Sequence, residues 1–158
     1  MSAPGSGLEE EVDLAVTPLR ELNAALHSVA EDGPRRWRVL NPRGAHALAA
    51  GIDAPIEVDI EGHAGYYCAG MNKHATVRVH GNSGVGLAEN IMSGRVVVDG
   101  SASQSAGATG HGGLVVIRGD ASARCAKTSR GVAGPRPGGR RADYDEPGAG
   151  GCRRYQRG

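Results

Sequence analysis

Six histidines are the first residues to weigh for chemistry: His27, His46, His63, His74, His80 and His111. Imidazoles hold transition metals and carry protons near neutral pH. Three cysteines, Cys68, Cys125 and Cys152, could serve as nucleophiles, ligands or disulfide partners. Asp59 and Asp99 are candidates for the acidic groove of a carbohydrate-active protein. The run Gly81-Asn82-Ser83-Gly84-Val85-Gly86 has the glycine content of a phosphate loop, and Tyr66-Tyr67 could form a flat binding platform. Gln104, Asn90, Thr109 and His111 could line a polar groove. Each possibility requires a particular geometry, so the elements that carry these residues decide among them.

The chain of 158 residues suffices for one compact domain. It has 26 Gly, no Phe and one Trp, so its core must be thin layers of Val, Ile, Leu and Ala. A formal net charge of +1 exerts no global attraction on nucleic acid or an anionic membrane. No apolar run approaches the roughly 18 residues of a spanning helix, and Met1 to Glu11 lacks the pattern of a secretory signal. A cytoplasmic location is expected, with reduced thiols, because three widely spaced cysteines contain no CxxC.

Residues 1–11 are expected to be a disordered leader, and 12–55 a small α/β cap. Val12 to Val16 and Trp37 to Leu40 read as strands. Between them Thr17 as N-cap and Pro18 at the first helical position begin a helix with the stripe Leu19, Leu22, Leu26, Val29, ended by Gly33-Pro34. After Asn41-Pro42, an Ala-rich helical stretch closed by Gly51 is expected.

From Ile56 the pattern becomes a repeat. The segments ending Ile60-Glu61-Gly62, Val79-His80-Gly81, Val98-Asp99-Gly100 and Ile117-Arg118-Gly119 recur every 19 residues with no insertion. Small residues recur at Gly65, Gly84, Ser103 and Ser122, and at Ala69, Ala88, Gly107 and Ala126. A strand-like period near 20 with no helical stretch specifies a β-solenoid. The fold expected over 56–128 is therefore all-β, a right-handed single-stranded parallel β-helix of 19-residue coils. Val58, Val77, Val96, Val115 and Ile60, Val79, Val98, Ile117 form inward ladders, joined by Cys68, Leu87, Ala106 and Cys125 on a second wall. Asp59, Arg78, Val97 and Val116 face out, and the apolar pair implies contact with another element or subunit. Gly62, Gly65, Gly81, Gly84, Gly100, Gly107 and Gly119 are the structural turn residues. The next coil would need aliphatics near 134 and 136, where Gly134 and Arg136 stand. Residues 129–158, rich in Gly, Arg and Pro, are expected to be disordered, with the composition of GC-rich coding sequence read out of frame. The stack is then shortened, with an open end.

Coils about 4.8 Å apart test the candidate chemistry. His74 and His111 occupy nearly one slot two coils apart, roughly 10 Å, too far to share a metal. Cys68 and Cys125 are three coils apart, roughly 14 Å, too far for a disulfide, and no His or acid is placed beside either. The Gly81–Gly86 run matches no phosphate-loop pattern and precedes no helix. Asp59 and Asp99 lie in different slots two coils apart, and Tyr66-Tyr67 reads as an aromatic pair capping one end. No catalytic, cofactor-binding or metal-ligating residue is therefore assigned.

The stretch Glu61-Gly-His-Ala-Gly-Tyr-Tyr-Cys-Ala-Gly-Met-Asn72, residues 86–94 (Gly-Leu-Ala-Glu-Asn-Ile-Met-Ser-Gly), 103–113 (Ser-Gln-Ser-Ala-Gly-Ala-Thr-Gly-His-Gly-Gly) and 119–125 (Gly-Asp-Ala-Ser-Ala-Arg-Cys) resembles the C-terminal, or GXGXG, domain of glutamate synthases. It is most similar to the stand-alone form in N-methylglutamate synthase (methylamine–glutamate N-methyltransferase), and residues 14–23 and 37–44 extend the likeness. The resemblance implies a right-handed β-helix without catalytic residues that spaces the other subunits. It implies two partners, a glutaminase-like amidotransferase subunit and a glutamate-synthase-like subunit carrying FMN and iron–sulfur, and no cofactor on this chain. The complex would make N-methylglutamate from glutamate and methylamine, releasing ammonia. A structural β-helix subunit of a molybdenum- or tungsten-dependent formylmethanofuran dehydrogenase is the alternative.

Overall fold

The computed structural model describes residues 8–122 and 132–133. Seven strands form one sheet in chain order: β1 (Glu9–Asp13), β2 (Arg36–Leu40), β3 (Glu57–Glu61), β4 (Thr76–Val79), β5 (Arg95–Val98), β6 (Leu114–Ile117) and β7 (Val132–Ala133). Every pairing is parallel. A sheet in which each strand lies beside the next in sequence, always parallel, is a solenoid, because each connection must return the chain to the same edge. Val58 pairs with Val77, Val77 with Val96 and Val96 with Val115, so β3 to β6 keep the 19-residue period throughout. A second parallel ladder runs Ala64, Ser83, Ala102, Ala121 on another side of the coil.

The core is the set of inward ladders. Val58, Val77, Val96 and Val115, and Ile60, Val79, Val98 and Ile117, are all at most 1% exposed. Cys68, Leu87 and Ala106 are fully buried in the opposing slot, while Cys125 lies outside the described residues. Trp37 and Val39 begin the same two ladders one coil earlier, so the sheet does not start at residue 56: β1 and β2 are its first strands.

Several local expectations change. Residues 1–7 lie outside the described part, but Glu9 to Glu11 belong to β1 and pair with Arg36, Trp37 and Arg38. Acids opposite arginines on neighbouring strands hold this edge, and the Glu11 carboxylate sits 3.3 Å from the Arg38 guanidinium. The strand stops at Asp13, whose side chain accepts the Ala15 N–H in a turn, short of Val16. The helix α1 spans Leu19–His27 with Pro18 at its N-cap and no side-chain cap, so Thr17 does not cap it. It ends at Ser28, whose hydroxyl and N–H both return to Ala24, so Val29 lies beyond it. Leu22 and Leu26 are buried as the stripe requires.

The Ala-rich segment before Gly51 is not helical. Ala47, Ala49 and Gly51 have positive φ, alternating with their neighbours. The same alternation returns at Tyr67, Ala69, Met71, at Gly86, Ala88, Asn90 and at Ser105, Gly107, Thr109. Residues 43–51 are therefore the first of four equivalent arcs. Small size, not helix propensity, is what this slot selects, since a left-handed residue costs about 1–2 kcal/mol when it has a Cβ. Interchain-like hydrogen bonds between coils offset that strain: Ala69 and Ala88 donate to the carbonyls of Leu48 and Cys68 in the preceding coil, and Gly86 and Asn90 to those of Gln104 and Ala108 in the following one.

The tail expected to be unpaired from 129 contributes β7, where Val132 and Ala133 pair with Val115 and Val116. That rung follows β6 by 17 residues, two fewer than the repeat, which is why alignment by period missed it. Gly134, Arg136 and the remainder lie outside the described residues.

Candidate functional site

The glycines marked by the period occupy points where successive coils touch. A methyl group on Gly81 would lie 2.6 Å from the Gly62 carbonyl oxygen, on Gly100 2.7 Å from that of Gly81, and on Gly119 2.6 Å from that of Gly100. One on Gly65 would strike Gly44 and His46, and one on Gly84 would come within 2.8 Å of Gly65. Gly62 and Gly107 are the members whose φ, at 140° and 67°, also requires the freedom of glycine. Beside this seam a column of side chains links coil to coil: His63 Nδ1 accepts the Asn82 N–H, Asn82 the Ser101 N–H, and Ser101 the Asp120 N–H, all near 2.9–3.0 Å. These residues are spent on the stack.

His46, His27 and His74 are similarly occupied. His46 accepts the Tyr66 N–H and stacks on its ring at 4.5 Å, so Tyr66 pairs with a histidine, not with Tyr67. His27 lies 2.7 Å from the Ala50 carbonyl, and His74 3.4 Å from Asp53. Among the described residues no group of three or more His, Cys, Asp or Glu could hold a metal. Of the polar turn residues, Asn90 and Thr109 are brought together with the Tyr67 hydroxyl, which accepts from Asn90 at 3.0 Å; Gln104 and His111 stand apart. The Cys68 thiol is fully buried, and desolvation pushes its pKa up to about 12, which disfavours the reactive thiolate.

The outer wall of the sheet holds what the slots alone did not disclose. His80 Nε2 lies 2.7 Å from Asp59 and Nδ1 2.8 Å from Asp99, whose other oxygen accepts from Arg118 at 2.7 Å. One imidazole one coil away from each acid thus joins two carboxylates from different slots, and the network runs from β3 across the residues that directly follow β4, β5 and β6. Burial works against charge on the ring, but the hydrogen bonds to Asp59 and Asp99 outweigh it and raise the His80 pKa above its ordinary value. Only the protonated ring can donate from both nitrogens, so this geometry favours the imidazolium.

The expected apolar pair is only half as described: Val97 faces out by alternation yet is 2% exposed, and Val116 is partly buried. Val97 lies at the floor of a cleft of about 180 Å³ lined by Arg36, Glu57, Asp59, Thr76, Arg78 and Arg95. Such a cleft is below the roughly 300–1,000 Å³ of pockets that enclose small molecules. No helix among the described residues is long and apolar enough to cross a membrane.

No protein-family model matches the chain, and no solved structure matches it. Over 67 residues the chain is 56% identical to Protein GlxC of Rhizobium meliloti (strain 1021). That similarity takes in 42% of this chain and 29% of the relative, so the chain matches less than a third of the relative's length.

Proposed function

We propose that this chain is a docking subunit of a glutamate-synthase-type complex, a rigid solenoid that spaces a glutaminase-like subunit from one carrying FMN and iron–sulfur. The observation that carries the reading is the uninterrupted 19-residue parallel register from β3 to β6, whose ladders are filled with aliphatic side chains and whose turns are spent on coil-to-coil bonds. A wall fixed in this way holds attached proteins at a set separation. The coarse kinship with glutamate-synthase-related proteins draws support from the partial identity to Protein GlxC. The finer reading, N-methylglutamate formation from glutamate and methylamine, follows from the resemblance of residues 61–72 and 86–125.

The test is co-expression of a tagged chain with the glutaminase-like and FMN-domain proteins encoded beside it, followed by purification and an absorption spectrum. A stoichiometric yellow complex that consumes methylamine and glutamate is expected. Partners that are soluble and flavin-loaded yet leave this chain behind would refute the reading.

A further inference from the structure

The outer wall carries ion pairs toward both ends and lacks them in the middle. Arg36 sits 3.3 Å from Glu57, Arg38 3.2 Å from Glu61 and Arg118 2.7 Å from Asp99. Arg78 and Arg95 form no ion pair among the described residues, although Asp59, held by His80, stands beside Arg78 in register. The Nε of Arg78 is buried without a hydrogen-bond partner, a position that costs free energy unless something accepts from it. Thr76 is in register with Arg95 and Arg78 with Val97, so the two arginines stand diagonally on adjacent strands, about 7–8 Å apart at their bases. Between them lies the 180 Å³ cleft floored by Val97. Leu114 and Val116, both partly exposed, continue the wall beside it.

From this arrangement we infer that the Arg78–Arg95 cleft receives an Asp or Glu side chain from an otherwise apolar segment of a partner subunit. The inference rests on the proposed function for the partner's identity, not for the chemistry of the cleft. Arginine can grip a carboxylate with two parallel N–H bonds, and arginine beside buried aliphatics is a common composition for an energetic centre of a protein interface. The cleft is too small for a flavin or nucleotide. Glu57 and Asp59 also line it, and they repel a polyanion more strongly than a single carboxylate.

The test uses the co-expressed complex with Arg78→Gln/Arg95→Gln, which preserves length and polarity, and Arg78→Glu/Arg95→Glu, which reverses charge. Arg20→Glu, on the exposed face of α1, is the control. Unchanged melting of the isolated chain identifies the variants that fold. The Gln pair should weaken assembly about tenfold or more, the Glu pair abolish it, and Arg20→Glu leave it intact. In the complex, an Arg substitution of the contacting partner carboxylate should restore the Glu pair. If wild type and both cleft variants assemble equally well, the inference falls while the proposed function stands. If wild type itself binds neither partner, both fall. Tight binding of inorganic phosphate to the isolated chain, lost in the Gln pair, would make the cleft a free-anion site and overturn the inference as well.

Discussion

The first coil and the inner ones are built on one template but find their hydrogen-bond partners by different means. In the inner coils the second left-handed residue of each arc donates to the coil before it, as Ala69, Ala88 and Gly107 do to Leu48, Cys68 and Leu87. Ala49 has no such coil behind it. Asn23 of α1 takes its place: its side-chain oxygen accepts the Ala49 N–H at 3.0 Å while its amide donates to the Ala47 carbonyl at 2.9 Å. His27 does the same for Ala50, and Leu22 and Leu26 cover the exposed ends of the ladders. The first coil shows that an arc with no arc before it still needs hydrogen-bond partners. A helix with one correctly placed Asn can supply them.

Removing the apolar part of that closure should have the largest effect. Leu26 is fully buried against the first coil, and Leu26→Ala is expected to cost about 2–5 kcal/mol, measured by denaturant unfolding. The loss should appear first as faster hydrogen exchange in β1 and β2, with β5 following only on global unfolding. If β6 loosens before β2, the helix is not the closure described.

The glycine seam sharpens the comparison, because the same substitution can be made at different depths. Gly81→Ala brings a methyl against the Gly62 backbone with coils packed on both sides, and about 2–3 kcal/mol of destabilisation is expected. Gly119→Ala meets a nearly identical clash with Gly100. Beyond β6, among the described residues, strand pairing is limited to the two residues of β7, so the coil can shift and a cost of about 1 kcal/mol is expected. Equal costs from thermal melts of the two variants would show that the fourth coil is held as firmly as the third.

Asn23→Ala isolates the polar part of the closure. It leaves the Ala49 N–H and Ala47 carbonyl without their side-chain partner and should cost about 1–2 kcal/mol, with Asn23→Asp, which keeps the acceptor but loses the donor, between it and wild type. Proteolysis near residues 43–51 is the sensitive measurement.

These elements differ in how legible they were. The 19-residue period exposed the ladders directly, because inward slots accept only aliphatic or small residues. Residues 43–51 were misread because Ala suits both a helix and a left-handed arc; the distinguishing sign was their offset of 20 from Tyr67, Ala69 and Met71, visible only once φ is known. Glu9 to Glu11 looked unstructured because three acids in a row lack a core pattern, and only the opposing Arg36 and Arg38 make a strand of them. The Asp59–His80–Asp99 network escaped because slot-by-slot comparison treats coils as separate layers. An imidazole is long enough to reach diagonally to the coils on either side.

That network is the counterpart of α1 for the later coils, and pH separates the two. His80 has its folded pKa raised above the unfolded value of about 6.5, so the proton is bound more tightly in the folded chain. Its contribution is therefore fully present below about pH 6.5 and is lost as pH rises through the folded pKa. Above that point the neutral ring can donate to only one of Asp59 and Asp99, and the bond across β3, β4 and β5 is halved. Asn23 contains no titrating group, so the closure at the first coil should not respond. Hydrogen exchange followed from pH 6 to 9, after correction for the intrinsic rate, should show protection falling in β4 to β6 while β2 is unchanged. His80→Gln should flatten that difference. Stability that increases across this range in wild type, or a slope that survives His80→Gln, would remove His80 as the group that ties the later coils together.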